Sequence, residues 1–412
     1  MQVVYQRCAG LDVHKKSGVA CVLVSQEDGS VHDEVRTFGT MTADVATLST
    51  WLREQQVECV AMESTGVFWW PVFNILEEDG HAVVLVNPPH MKAVPGHKTD
   101  VADSTWLADL LRHGLLAASF IPPTAIRELR ALLRYRKTLI GERAQEINRL
   151  QKVLEGANIK LAAVAPDILG VSGRQMIEAL ATGEEDPEIL AELARGRMRA
   201  KLDLLRRALE GRVKLHHRVL IRSILQHTSF LEEALAPLDQ EVERCLAPFQ
   251  AQMTLLQSIP GVSRTAAATL SAEIGVDMSR FASAKHLASW AGICPGNRQS
   301  GGTRHNAKTT NGNVWLRGVL GEIAWGASHT KERAFGARFR RSARRQNKYK
   351  AVVAVMHHVL IVVYCVLREQ TPYRERGPEY YAPQDAQRKM PAHVRYLEEL
   401  GYTVTRTPKE AA

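Results

Sequence analysis

The first hundred residues read as short apolar runs broken by polar turns. Residues 7–14, 18–25 and 30–38 are Val/Leu/Thr-rich stretches of strand length, and Asp28-Gly29 between the last two marks a tight hairpin. From Thr42, read as a helix cap, the pattern becomes that of an amphipathic helix ending near Gln55. ECVAME (58–63) and AVVLVN (82–87) are further apolar strands, separated by a helix around Pro71–Glu78 that stops at Gly80. Asp100 opens a last helix, VADSTWLADLLRHG, closed by Gly114. The order β-β-β-α-β-α-β-α predicts an α/β sheet domain over 1–120.

Ile121-Pro122-Pro123 interrupts this pattern, and residues 121–250 read helical throughout. Ile126, Leu129, Leu133, Ile140, Ile147, Leu150 and Leu154 fall at steps of three, four and seven, with Arg136 and Arg143 in the gaps. Such a helix serves either as a coiled-coil arm for self-association or as one member of an intramolecular bundle. Its eight basic and four acidic residues also suit a course along a nucleic-acid backbone. A third, mostly α domain is expected over 251–370. There LLQSIPGVSRTAAATLSAEIG (255–275) reads as a helix-hairpin-helix, whose turn at Gly261 presents backbone N–H groups to a phosphate; the alternative is a plain corner between two helices. The longest apolar run, VVAVMHHVLIVVYCVL (352–367), is broken by His357 and His358 and reads as a buried helix rather than a membrane span. No function is legible in the tail, 371–412.

Charge sharpens the picture. The 412 residues carry a formal net charge of +9, but residues 1–120 carry −7 and the remainder +16. An acidic module joined to a basic one suits a metal site on one side and polyanion binding on the other. The six cysteines form no CxxC pair, which argues against a zinc site or disulfide framework and fits a reducing cytoplasm. The N-terminus lacks the basic-then-apolar order of a signal peptide, so no membrane partner is expected.

Four carboxylates are candidates for chemistry. Asp12 lies on the first strand, on the face opposite Leu11 and Val13, where an unpaired charge is costly. Glu63 ends the strand ECVAME, and Asp100 and Asp103, three apart, share one helix face. Singly, each also reads as a solvated residue or, for Asp100, a helix cap. Together they fit the divalent-ion site that phosphoryl transfer requires. Ser300 sits in CPGNRQSGGTRHNAKTTNGN (294–313), which has no acidic residue and carries Arg298, Arg304 and Lys308. A serine among glycines and cations can reach a phosphate, although a plain polar loop has the same composition. Residues 331–350 hold nine Lys/Arg and one Glu, among them Arg338, Arg340, Arg341, Arg344 and Arg345, interleaved with Phe335, Phe339 and Tyr349. This run reads as a phosphate-backbone contact, the alternative being a solvated helix face. The histidine pairs 216–217 and 357–358 read as structural.

GLDVHKK, AMESTGVFW, VNPPHMKAVPGHKTDVADS and WAGICPGNRQSGG resemble the DEDD transposases of bacterial insertion sequences, over about residues 5–370. That resemblance implies a RuvC-like (ribonuclease H-like) domain, a helical arm and a C-terminal transposase domain with an essential serine. It maps the metal-binding set to Asp12, Glu63, Asp100 and Asp103, and the serine to Ser300. It implies a Mg²⁺-dependent phosphoserine link to DNA, resolved by a 3′-hydroxyl of the partner strand. It further implies donor and target DNA, a noncoding guide RNA (a bridge RNA or seekRNA), and a homo-oligomer, dimer or tetramer, whose working sites draw on different protomers. Lys98 in HKTD is a candidate contact to the scissile phosphate, or a screen between the carboxylates. Two other readings stand beside this one. One is a hydrolytic Holliday-junction-type nuclease with the same carboxylates and water as nucleophile. The other is a non-catalytic nucleic-acid-binding protein.

Overall fold

In the computed structural model, β1 (Arg7–Val13), β2 (Ser17–Ser25) and β3 (Val31–Gly39) form an antiparallel meander. β4 (Cys59–Glu63) and β5 (Val83–Val86) add in parallel on the other side of β1, giving one mixed sheet of order β3-β2-β1-β4-β5. The structure describes residues 2–26, 28–64, 66–86, 100–294, 299–300, 303–304, 309–378 and 382–405. The β2–β3 turn forms where the sequence places it: Gly29 has φ +85°, and the Asp28 carboxylate accepts the Ser30 N–H at 2.8 Å.

β1 is covered on both faces, which is why RCAGLDV is apolar almost throughout. On one face Ala9, Leu11, Val13, Val60, Met62 and Leu85 pack under α1 (Thr42–Glu54) and α2 (Trp69–Glu78). On the other, Cys8, Cys21, Cys59 and Ala61 meet Leu107, Ala108 and Leu111 of α3 (Asp100–Arg112). α3 lies so close to β1 that a Cβ on Gly10 would stand 2.1 Å from the Ser104 carbonyl oxygen, so only glycine fits there. Thr42 is not the cap of α1. Met41 holds that position in extended geometry without a side-chain bond, and the Asp44 carboxylate supplies the negative charge of the first turn.

The chain divides into two compact units, 1–121 and 122–412. Among its described residues, the second is helical apart from one short hairpin. α4 (Thr124–Gly156) packs along α9 (Leu215–Leu246), with α5 (Leu161–Val164), α6 (Val171–Thr182), α7 (Pro187–Glu192) and α8 (Leu202–Leu209) closing a core around Leu150, Leu154, Met176 and Leu205. The ion pairs Arg136–Asp239 (2.5 Å) and Arg143–Glu232 (2.6 Å) set α4 and α9 antiparallel, since the first partner advances as the second recedes. Both arginines in the gaps of the heptad-like stripe therefore bind within the chain. Burial pushes the Glu232 carboxyl up, but Arg143 and Arg174 together hold it below the usual range.

The rest of this unit comprises α10 (Gln250–Gln257), α11 (Arg264–Ile274), α12 (Ala284–Trp290), the hairpin β6 (Gln299–Ser300) and β7 (Thr303–Arg304), α13 (Val314–Ser328), α14 (Ala334–Ala343), α15 (Lys348–Glu369) and α16 (Ala382–Glu399). α15 is long and apolar enough to cross a membrane, but it packs against α10, α12, α13 and α14 with Val355, Val359, Leu360 and Val363 buried. Burial pulls its His358 down to about 4, with nearby Arg338 adding to the effect. Neutral, half-buried and edge-on to Phe335 at 5.8 Å, that histidine packs against the core.

Candidate carboxylate and serine sites

Strand register brings Asp12 and Glu63 together. The last parallel pair between β1 and β4 is Leu11 with Met62, and Asp12 and Glu63 are the next residue on each strand. The two-residue period puts Asp12 on the face of Cys8 and Gly10, and Glu63 on that of Cys59 and Ala61, which is the face α3 covers. α3 runs antiparallel to β1. The Arg112 carbonyl accepts the Val4 N–H at 2.8 Å, the Ala108 carbonyl meets Cys8 Sγ at 3.4 Å, and Ser104 abuts Gly10. The N-terminal turn of α3, with Asp100 and Asp103, thus falls at the strand ends that carry Asp12 and Glu63.

Asp12 is 7% exposed, and its Oδ2 lies 3.3 Å from Nε2 of His14. Glu63 and Asp103 are half-buried, while the side chain of Asp100 lies outside the described residues. Among the described residues, no three His, Cys, Asp or Glu side chains are drawn into metal-binding contact. What the fold brings together is one sheet end, not a closed coordination shell. The donors there are hard oxygens suited to Mg²⁺ or Mn²⁺. The thiols beneath them are unsuited: burial pushes Cys8 up to about 12, and raises Cys21 and Cys59 as well, so all three stay protonated. His14 was missed in the sequence. Its signal was the i, i+2 spacing in Asp12-Val13-His14, which puts both side chains on one face.

In the second unit, Ser300 pairs with Thr303 and Gln299 with Arg304 in the β6–β7 hairpin. The side chains of Ser300 and Arg304, and the whole of Arg298, Lys308 and Lys98, lie outside the described residues. The neck of this loop is tightly held. Gly292 has φ +66°, and a Cβ there would come within 2.7 Å of the Gly312 backbone. Arg317 donates to the Gly292 and Thr310 carbonyls, both at 3.1 Å. Asn313 caps α13 through the N–H groups of Trp315 and Leu316, and donates its own amide to Glu273 Oε2 at 2.5 Å. Glu273, 1% exposed, in turn takes a bidentate bond from Arg134 at 2.8 and 2.7 Å. Only Glu273 of this pair is buried; its carboxylate, shared by Arg134 and Asn313, ties the neck to α4. Glu273 and Arg134 lie 139 positions apart, and no local pattern announces the pair.

Gly261 takes φ +87° in the turn between α10 and α11, and Ser263 caps α11 by accepting the Ala266 N–H at 3.2 Å. Beside this turn is a cavity of about 180 Å³ lined in part by Arg134, Lys137, Ser263, Thr265, Thr269 and Trp315.

The basic stretches divide by exposure. Along α4, Arg127 and Arg130 donate to backbone carbonyls, and Arg134, Arg136, Lys137, Arg143 and Arg149 pair with carboxylates of the same unit. Arg130, Arg134, Arg136, Lys137 and Arg143 thus tie α4 to neighbouring helices, while Arg127 and Arg149 bond within their own stretch of chain and Lys152 is exposed, so most of the positive charge expected to face nucleic acid also has partners within the unit. In 331–350, Arg340 donates to the Thr330 and Lys331 carbonyls at 3.0 and 2.7 Å, and Arg338 to that of Ala354 at 3.4 Å. Arg341 is half-buried, whereas Arg344, Arg345, Lys348 and Lys350 are exposed beside Tyr349. Replacing those four exposed cations with glutamine is expected to flatten the slope of log affinity for DNA against log salt by up to roughly 3–4 units, at about 0.7–0.9 per phosphate contact. Arg340→Gln should instead lower stability, since two carbonyls lose their donor. An unchanged slope in the quadruple variant would mean this face meets solvent alone.

Residues 9–159 match a family model of DEDD transposases of the IS110 type, described as Transposase, and residues 253–340 match one described as Transposase IS116/IS110/IS902 family. The pilin gene-inverting protein of Moraxella bovis is 31% identical over 150 residues, 35% of this chain and 46% of the relative, so the chain spans about half of that protein's length. A transposase designated y4qE in Sinorhizobium fredii is 24% identical over 331 residues, 77% of this chain and 70% of the relative. An insertion-element IS110 protein of Streptomyces coelicolor is 30% identical over 125 residues, 30% of this chain and 31% of the relative.

Proposed function

The chain belongs to the IS116/IS110/IS902 family of transposases, and on that premise we propose that it cleaves and rejoins DNA strands through a covalent phosphoserine intermediate, guided by a noncoding RNA. The observation that carries this is the single sheet end shared by Asp12, Glu63 and the α3 turn with Asp100 and Asp103. A five-stranded sheet of order β3-β2-β1-β4-β5 with carboxylates there supports a RuvC-like reading of residues 1–120. The helical region 121–250, the serine domain 251–370 and the tail 371–412 complete the division. The protein works on donor and target DNA in the bacterial cytoplasm as a homo-oligomer, a dimer or tetramer.

Asp12, Glu63, Asp100 and Asp103 would hold Mg²⁺ or Mn²⁺, which supplies Lewis acidity toward the phosphate and lowers the pKa of a hydroxyl beside it. His14 holds the Asp12 carboxylate in place. The Ser300 hydroxyl oxygen attacks the phosphorus of a phosphodiester and gives up its proton. The bond to the 3′-oxygen breaks, a 3′-hydroxyl departs with a proton, and the 5′ end stays esterified to Ser300. A 3′-hydroxyl of the partner strand then attacks that ester, and Ser300 regains its proton. One phosphodiester is consumed and one is formed, so no nucleotide cofactor is needed. Gly261 and the α11 N-terminus, Arg298, Arg304 and Lys308 around the serine, Lys98, and the basic face with Arg338, Arg340, Arg341, Arg344 and Arg345 serve the nucleic-acid backbone. Within that face, Arg344 and Arg345 act on phosphate directly. Purified protein, mixed with DNA carrying the element's ends and RNA transcribed from its flank, should exchange strands in Mg²⁺. Omitting the RNA or adding a chelator should stop exchange; undiminished exchange without RNA would remove the guide from the account.

A further inference from the structure

At the sheet end that carries Glu63, three apolar side chains stand in solvent: Val67 is 62% exposed, Phe68 41% and Trp70 49%. They follow Glu63 by four to seven positions, in and just beyond the turn into α2. β4 and β5 run parallel, so α2 between them must run back, and its first residues stay at the end where Glu63 lies. Even fully extended, the chain from Glu63 to Phe68 reaches at most roughly 17 Å. Between the exposed rings, half-buried Trp69 anchors the turn, meeting Phe73 edge-on at 5.7 Å. Trp70 contacts Trp69 edge-on at 5.8 Å, so its ring has support while about half of the residue stays open.

Large apolar groups standing in water are unfavourable, and three of them within one short turn mark a binding surface. Beside a phosphodiester site the fitting ligand is a nucleobase, which stacks on an aromatic ring whatever its identity. A base inside a duplex already has both faces covered, so the platform takes an unpaired one. We propose that Val67, Phe68 and Trp70 form a stacking platform for an unpaired base of the DNA strand being cut, next to its scissile phosphate. This rests on the transposase reading of the carboxylate end.

The test isolates the base from the phosphate. Binding of the full chain to a short oligothymidylate and to an abasic strand of equal length is measured by fluorescence anisotropy in chelator, where no cleavage occurs. Wild type is expected to prefer the strand with bases by roughly 5- to 150-fold per stacked base. Phe68→Ala/Trp70→Ala should lose that preference while keeping its affinity for the abasic strand, its salt slope and its thermal midpoint. Phe68→Tyr/Trp70→Phe, which keeps both rings, should restore it. A preference that survives in the double alanine variant overturns the platform and leaves the transposase reading standing. A loss confined to oligouridylate overturns the assignment to DNA in favour of RNA. Wild type that binds neither strand nor duplex DNA overturns the platform and that reading together.

Discussion

Alanine at Asp12, Glu63, Asp100 or Asp103 is expected to abolish strand cleavage while leaving the fold and RNA binding largely intact. Divalent ions at a phosphoryl-transfer site contribute several kcal/mol of charge stabilisation, and each 1.36 kcal/mol is tenfold in rate. Losing a ligand should therefore slow cleavage by roughly 10³-fold or more. Stability should change little, because carboxylates gathered at one sheet end repel one another when no cation lies between them. Asp12, 7% exposed, is the stringent case, so Asp12→Asn serves as its isosteric control. His14→Ala, which removes only the group that holds Asp12, should lose about 10- to 100-fold, the scale of a partner behind a metal ligand. Cleavage rates on labelled DNA in Mg²⁺, with circular dichroism melts alongside, decide the matter. Near-normal rates in two or more of the four alanine variants would mean the metal assignment is wrong.

Ser300→Ala is expected to be equally inactive, for a different reason. A serine hydroxyl is a poor nucleophile at neutral pH without a base or a metal beside it. The sequence from Phe281 to Trp315 contains no Asp or Glu to act as that base. On the proposed mechanism, the activating group is therefore expected to be the metal that the carboxylates of the first unit would hold. Loss of the nucleophile should cost on the order of 10⁶-fold, the scale reached when a catalytic serine is removed. Mixing inactive Ser300→Ala with inactive Asp12→Ala shows where the two halves meet. Regained activity assigns them to different protomers of an assembly; continued inactivity assigns them to the same one.

Much of the first unit was legible because strands and helices there are short, regular and separated by turn residues. The five strands and three helices fall within a few positions of their apolar runs, and Asp28-Gly29 makes the expected turn. Thr42 misled because a hydroxyl residue at the first helical position looks the same in sequence as one at the cap. The partners of Arg136 and Arg143 were illegible, since Asp239 and Glu232 lie about a hundred positions away on another helix. Composition made α4 look like a nucleic-acid ligand; only the fold shows that most of its cations also have partners within the chain. Arg340 and Arg344 are four residues apart in one basic run, yet one binds carbonyls and the other faces solvent. His14 needed only strand periodicity, whereas Glu273 and Asn313 needed the packed fold that joins them.

The most direct test of the central claim is to trap denatured protein on end-labelled DNA after incubation with Mg²⁺ and RNA. Wild type should carry the label as a covalent adduct that forms only with divalent metal and disappears in Ser300→Ala. An absence of adduct in wild type, with Ser300→Ala cutting at full rate, would contradict the serine mechanism and leave a hydrolytic nuclease in its place.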